Sequence, residues 1–146
     1  MSIEGLAARE AALDCLLDYS TRGIFVSESL SWHGARLEGR DRALALETAL
    51  STIRWKARLD HHLEGFLRGA TPEPVRWLLR MGLAQCRILD RIPPHAAVHL
   101  SVELARARFG KGASGLVNAV LRRAIEAPWR DPEGDTPADL AVRFSH

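Results

Sequence analysis

With 146 residues, 47% of them hydrophobic, the chain is long enough to bury a core without disulfide staples. No uninterrupted apolar run reaches the roughly 20 residues of a membrane span, and the start "MSIEGLAARE" lacks the basic and apolar regions of an export signal, so a soluble, cytoplasmic protein without a targeting segment is expected. The formal net charge of +2 is uneven, residues 1–39 and 126–146 each carrying −3 and the segment between them +8, which is a modest pointer to a polyanion.

Apolar residues recur at helical rather than alternating intervals, which predicts an all-α chain. Leu6, Leu13 and Leu17, joined by Ala7 and Leu16, mark a first helix that fades near "STRGIFVSES", and a short helical piece follows around Ser29 to His33. Ala43, Leu46, Leu50, Ile53 and Ala57 predict a long third helix, continuing with a bend through Leu59, Leu63 and Phe66. Thr71 as N-cap and Pro72 in the first turn open the clearest helix, whose stripe of Val75, Leu78, Leu79, Gly82, Leu83, Cys86 and Leu89 ends before "DRIPPH". Pro93 and Pro94 open the next, with Val98, Val102, Ala105 and Phe109 on one face. After the glycine loop, Ala113, Leu116, Val117, Val120, Leu121, Ala124 and Ile125 form another stripe. Thr136, Pro137 and Asp139 look like the capped start of a last short helix.

The glycines of "FGKGASGLVNAVLRR" fit G-x-G-x-x-G, but a dinucleotide site needs a preceding strand in a βαβ unit, and here a helix precedes. Lys111 is not placed as in a phosphate-binding G-x-x-x-x-G-K loop. Gly110 is expected to be left-handed after one helix, with Gly112 or Ser114 near the start of the next. That helix start, with Lys111 beside it, could take one backbone phosphate. Arg76, Arg80 and Arg87 share a narrow stripe, extended by Arg91, on a helix with few compensating carboxylates, and guanidinium suits phosphate. Residues 106–125 hold Arg106, Arg108, Lys111, Arg122 and Arg123 with no acid at all.

Other constellations point to structure rather than chemistry. His95, His99 and Glu103 share a helical face but converge poorly as metal ligands. His61 and His62 are adjacent and point apart. Cys15 and Cys86 sit in apolar stripes as buried, reduced thiols. Of Trp32, Trp55, Trp77 and Trp129, which could include a base-stacking platform, Trp55 and Trp77 at least are expected to be packing residues.

Three segments, "DRALALETALSTIRWKARLD", "VRWLLRMGLAQCRILDRIPPHAAVHLSVELAR" and "GKGASGLVNAVLRR", together resemble the NusB-like domain. The resemblance is greatest to the version at the N-terminus of bacterial methyltransferases that make 5-methylcytosine in small-subunit ribosomal RNA. It implies an all-α bundle of about seven helices in two packed subdomains, one NusB-like RNA-binding domain over residues 1–146. The segment 136–146, ending in "RFSH", resembles the start of a connection to a catalytic domain. That domain binds S-adenosylmethionine and uses cysteines in motifs of its own, so no cofactor and no catalytic residue are expected among these residues. Ser51 stands where the family usually has glycine.

The implied partners are ribosomal RNA and a methyltransferase catalytic domain in cis or trans. The candidate RNA contacts are Arg9, Arg76, Arg80, Arg87, Lys111, Arg122 and Arg123. Two alternatives stay open. One is a free antitermination factor that binds leader RNA with a ribosomal protein, for which the family's arginine-rich first helix is here net acidic. The other is a helical docking domain that binds no RNA.

Overall fold

The computed structural model describes residues 5–89 and 92–144. Among them lie eight α-helices and no strand: α1 (Leu6–Arg22), α2 (Val26–His33), α3 (Gly39–Arg54), α4 (Lys56–Leu63), α5 (Glu73–Arg87), α6 (Pro94–Phe109), α7 (Lys111–Glu126) and α8 (Pro137–Phe144). Helices α1, α2 and α3 pack on one another, α5, α6 and α7 form a second group, and α5 touches both. One core runs through the two groups, from Leu13 and Leu16 on α1 to Leu78, Leu79 and Leu83 on α5 and Leu121 on α7.

The eighth helix arises because the expected long third helix is divided at Trp55, whose φ of −100° and ψ of 14° separate α3 from α4. One turn earlier the buried Thr52 hydroxyl donates to the Thr48 carbonyl at 2.7 Å, a back-bond that bends helices. The buried face of α3 also differs from the expected one. Ala45, Thr48, Ala49 and Thr52 are inside, while Ala43 and Leu50 face solvent. The helix that packs on it, α1, buries Ala8, Ala11, Ala12 and Cys15, and small residues on both sides let two backbones approach closely. A periodicity read from the largest apolar side chains misses such a face.

Helix α5 is buried nearly all round, from Trp77 through Gln85, as befits the central element of a bundle. It starts at Glu73 with Pro72 as the capping residue and Pro74 in its first turn, so Thr71 is not the N-cap. A Cβ at Gly82 would lie 2.7 Å from Leu121 and 2.9 Å from the Ser101 hydroxyl, so the glycine lets α5 approach α6 and α7. The expected cap of α8 is present: the Asp139 N–H donates to the Thr136 hydroxyl at 3.1 Å, and that hydroxyl donates to the Asp139 carboxylate at 2.7 Å. Both cysteines are free; Cys15 is buried and Cys86 partly so. Burial pushes the Cys86 thiol up to about 11 and raises Cys15 as well, which keeps both protonated at neutral pH.

Candidate nucleic-acid interface

Helices α6 and α7 form a hairpin joined by one residue. Gly110, with φ 95° and ψ 180°, ends α6 and caps α7. A positive φ of this size excludes most side chains. It is not the helical left-handed conformation expected of the residue, because the chain reverses into the next helix at once. Lys111 is thus the first residue of α7, exposed beside the helix's unpaired N–H groups.

About three turns further on, Arg122 and Arg123 are also exposed. Arg122 Nε donates to Asn118 Oδ1 at 2.8 Å. Among the described residues no carboxylate comes within ion-pair distance of Lys111, Arg122 or Arg123. On the last turn of α6, Arg106 pairs with Glu103 and Arg108 with Asp14, each at 2.8 Å.

The predicted arginines of α1 and α5 have other roles. Arg80 is 2% exposed. Its Nε meets Asp60 at 2.6 Å, its Nη1 meets Glu73 at 2.8 Å, and its guanidinium lies over the Trp77 ring. Burial alone would lower its pKa, but the bonds to Asp60 and Glu73 outweigh that and raise it. The carboxylates that seemed scarce from the sequence of α5 come from α4 and from the first turn of α5 itself. Arg80 therefore cannot offer its charge to phosphate as this fold stands.

Arg87 is spent on structure too. Its Nη1 faces the carbonyls of Ala124, Ile125 and Ala127, closest at 2.8 Å, and closes the C-terminus of α7. Arg9, 7% exposed, donates to Gln85 Oε1 at 2.8 Å and to the Gly5 carbonyl at 3.2 Å, tying α1 to α5. Desolvation by burial lowers its pKa, against the attraction of Asp41. Arg76 is half-buried with no ion pair among the described residues. Arg91 lies outside the described residues.

The structure thus divides the predicted set. Lys111 stands at the start of α7 and Arg122 and Arg123 near its end, all three exposed, Arg76 stands at the N-terminal end of α5, Arg9 and Arg80 are buried, and Arg87 is partly buried. Beside Lys111 a shallow apolar depression of about 420 Å³ is lined by Val75, Phe109, Gly112, Ala113 and Leu116. The glycines here are informative. A Cβ at Gly112 or Gly115 would meet nothing within 4 Å, so packing within the chain does not require either of them.

Two features had no sequence signal. The first is a groove of about 750 Å³ along the α6–α7 hairpin, with Val98, Val102 and Ile125 among its lining. The spacing of His95, His99 and Glu103 was visible, but not that Asn118 and Arg122 face them across a groove. The second is the seat of the segment after α7. His62 is fully buried, Nε2 donating to the Ala124 carbonyl at 2.7 Å and Nδ1 accepting the Arg130 N–H at 3.0 Å. Arg58 and Arg87 flank the Trp129 ring at 4.5 and 4.6 Å, and Arg58 also holds Asp131 through two bonds of 3.1 Å. Burial, with Arg87 and Arg130 nearby, keeps the His62 pKa below its ordinary value. Of the tryptophans, Trp77 is buried and Trp55 partly so, as expected, while Trp32 is 46% exposed.

Among the described residues no helix is long and apolar enough to cross a membrane. The NusB family model matches residues 6–126. A probable ribosomal RNA small subunit methyltransferase B of Bacillus subtilis is 36% identical over 116 residues, covering 75% of this chain and 26% of that protein. The ribosomal RNA small subunit methyltransferase B of Thermus thermophilus is 44% identical over 97 residues, 64% of this chain and 23% of that protein. The chain thus spans about a quarter of the length of these curated relatives. Among solved structures, antitermination factors NusB and NusE in complex with dsRNA give a chain with a TM-score of 0.72 at 22% identity, covering 83% of this chain and 95% of that one. A chain from a structure described as a plectonemic RNA supercoil superposes with a TM-score of 0.75, also at 22% identity, over 85% of this chain and 96% of that one. With the family model matched over most of its length and the same all-helical architecture in the solved relatives, this chain belongs to the NusB family.

Proposed function

We propose that this chain is an RNA-binding domain that helps a methyltransferase module hold small-subunit ribosomal RNA. The observation that carries the reading is that α7 exposes Lys111, Arg122 and Arg123 along its length without a carboxylate partner among the described residues. Exposed cations left unpaired suit a sugar–phosphate backbone, which gains affinity by releasing counterions, and Lys111 stands beside the N–H groups of a helix N-terminus. Gly112 and Gly115 add to it. Glycine inside a helix costs about 1 kcal/mol relative to alanine, and here the missing side chains leave backbone open to close approach from outside. The names of the curated relatives support ribosomal RNA as the polyanion. The rival reading as a free antitermination factor that binds RNA through α1 loses one of that helix's two arginines, because Arg9 is buried against Gln85.

The test is titration with a small-subunit ribosomal RNA fragment at several salt concentrations. Replacing Lys111, Arg122 and Arg123 together by alanine is expected to weaken binding and to flatten log K against log salt by about 0.7 per lost contact to a single strand. Stability should stay within about 0.5 kcal/mol of wild type, as for surface positions generally. Unchanged affinity and slope would remove the α7 face from the reading.

A further inference from the structure

The α6–α7 groove has a composition that a phosphate site would not have. Its apolar surface comes from Val98 and Val102 on α6 and Ile125 on α7. Its polar edges are His95, His99, Glu103 and Arg106 on one helix and Asn118, Arg122 and Glu126 on the other. Its two arginines lie among two glutamates, and Arg106 is already held by Glu103 at 2.8 Å. A row of phosphates laid along the groove would meet its carboxylates as well as its arginines. Planar, uncharged rings with polar edges suit it better: they can lie on the apolar surface while their donors and acceptors meet imidazole, amide and carboxylate groups.

We infer that this groove receives unstacked bases of single-stranded RNA, which the cations of α7 hold by the backbone. The inference rests on the RNA-binding reading above and adds the form of RNA and the way it is read. The volume of about 750 Å³ lies in the range of small-molecule pockets, about 300–1,000 Å³, ample for a nucleobase. Asn118 spends its carbonyl oxygen on Arg122 Nε, which leaves its amide N–H groups to donate. His99 faces this pair from α6, exposed and without a hydrogen bond to any described residue. A duplex cannot use this groove, because its bases are stacked and its readable edges lie within its own grooves. Bases splayed from a single strand can enter it.

The two kinds of contact separate by salt dependence, since phosphate contacts set the slope and base contacts do not. The experiment compares His99→Ala and Asn118→Ala with wild type. The probes are a fluorescent single-stranded fragment of small-subunit ribosomal RNA and the same strand annealed to its complement, each at two salt concentrations. Each substitution is expected to weaken single-strand binding about tenfold, within the range for losing a base contact. For His99→Ala the salt slope and duplex binding should be unchanged, and for both the far-ultraviolet circular dichroism should be unchanged.

Equal losses on single strand and duplex or a flattened salt slope for His99→Ala, or no loss at all for either substitution, would each overturn the base-reading groove. If Lys111→Ala and Arg123→Ala still weaken binding in that case, the RNA-binding reading survives it. A wild-type protein that binds neither probe overturns both.

Discussion

Helices α5 and α7 each carry arginines at helical spacing, and the fold uses them in opposite ways. On α5, Arg80 meets two carboxylates and an indole inside the protein, and Arg87 closes the end of α7. On α7, Arg122 and Arg123 reach solvent with no carboxylate within ion-pair distance among the described residues. The difference lies in the neighbours. Helix α4 and the segment from Ala127 to Asp131 cover the α5 stripe, bringing Asp60 and Trp129 against it. Among the described residues the outer face of α7 has no such cover. A basic stripe is therefore a candidate for phosphate only where no other element of the chain supplies its counter-charge.

The largest effect expected from this contrast is at Arg80. Arg80→Ala leaves the Asp60 carboxylate, whose side chain is 18% exposed, with only Lys56 at 3.0 Å, and uncovers Trp77. Breaking a buried ion pair by removing one partner costs about 3–5 kcal/mol, and the partial exposure of Asp60 puts this one at about 3 kcal/mol. Urea denaturation should show the fall in midpoint. RNA affinity per folded molecule should be unchanged, in contrast to the α7 substitutions. A stable Arg80→Ala protein that binds RNA less tightly would return Arg80 to the interface.

What the sequence made legible follows the same line. Helices bounded by proline and glycine were readable, because these residues act on their own backbone: Pro94 starts α6, Gly23 ends α1 with a φ of 66°, and Thr136 with Asp139 caps α8. The buried face of α3 was not readable from its largest apolar residues, because small residues on α1 decide it. The same limit applied to the candidate site. Lys111, Arg122 and Arg123 could be singled out from the lack of local acid. Whether Arg80 was free depended on Asp60, twenty residues away in sequence and on another helix.

A middle-sized effect comes from pH, at the segment that covers Arg87. Folded His62 is neutral, with one ring nitrogen donating and the other accepting, and its pKa lies below the ordinary 6.5. The unfolded chain therefore takes up a proton near pH 6.5 that the folded chain refuses until lower pH. Stability from this residue is fully present above 6.5 and is lost as pH falls from there through the depressed folded value. Urea midpoints measured from pH 7.5 down to pH 5, a span chosen around the unperturbed histidine value, should decline. The decline should be smaller in His62→Gln, which can donate and accept but does not titrate in this range. An equal decline in both proteins would assign the pH dependence to other groups.

The smallest effect probes the outer face of α7 most directly. Gly112 and Gly115 lie within a helix and have open space where a Cβ would go. Alanine at either position should therefore stabilise the isolated protein, by up to about 1 kcal/mol for an unconstrained helical glycine. Gly110→Ala should do the reverse, since its φ of 95° strains any residue with a Cβ. If RNA backbone lies close against α7, Gly115→Ala will raise the urea midpoint and weaken RNA binding together. A loss of binding caused by unfolding would move the two the other way. Higher stability with unchanged affinity would mean that RNA engages Lys111, Arg122 and Arg123 through their long side chains alone, leaving the helix backbone at a distance.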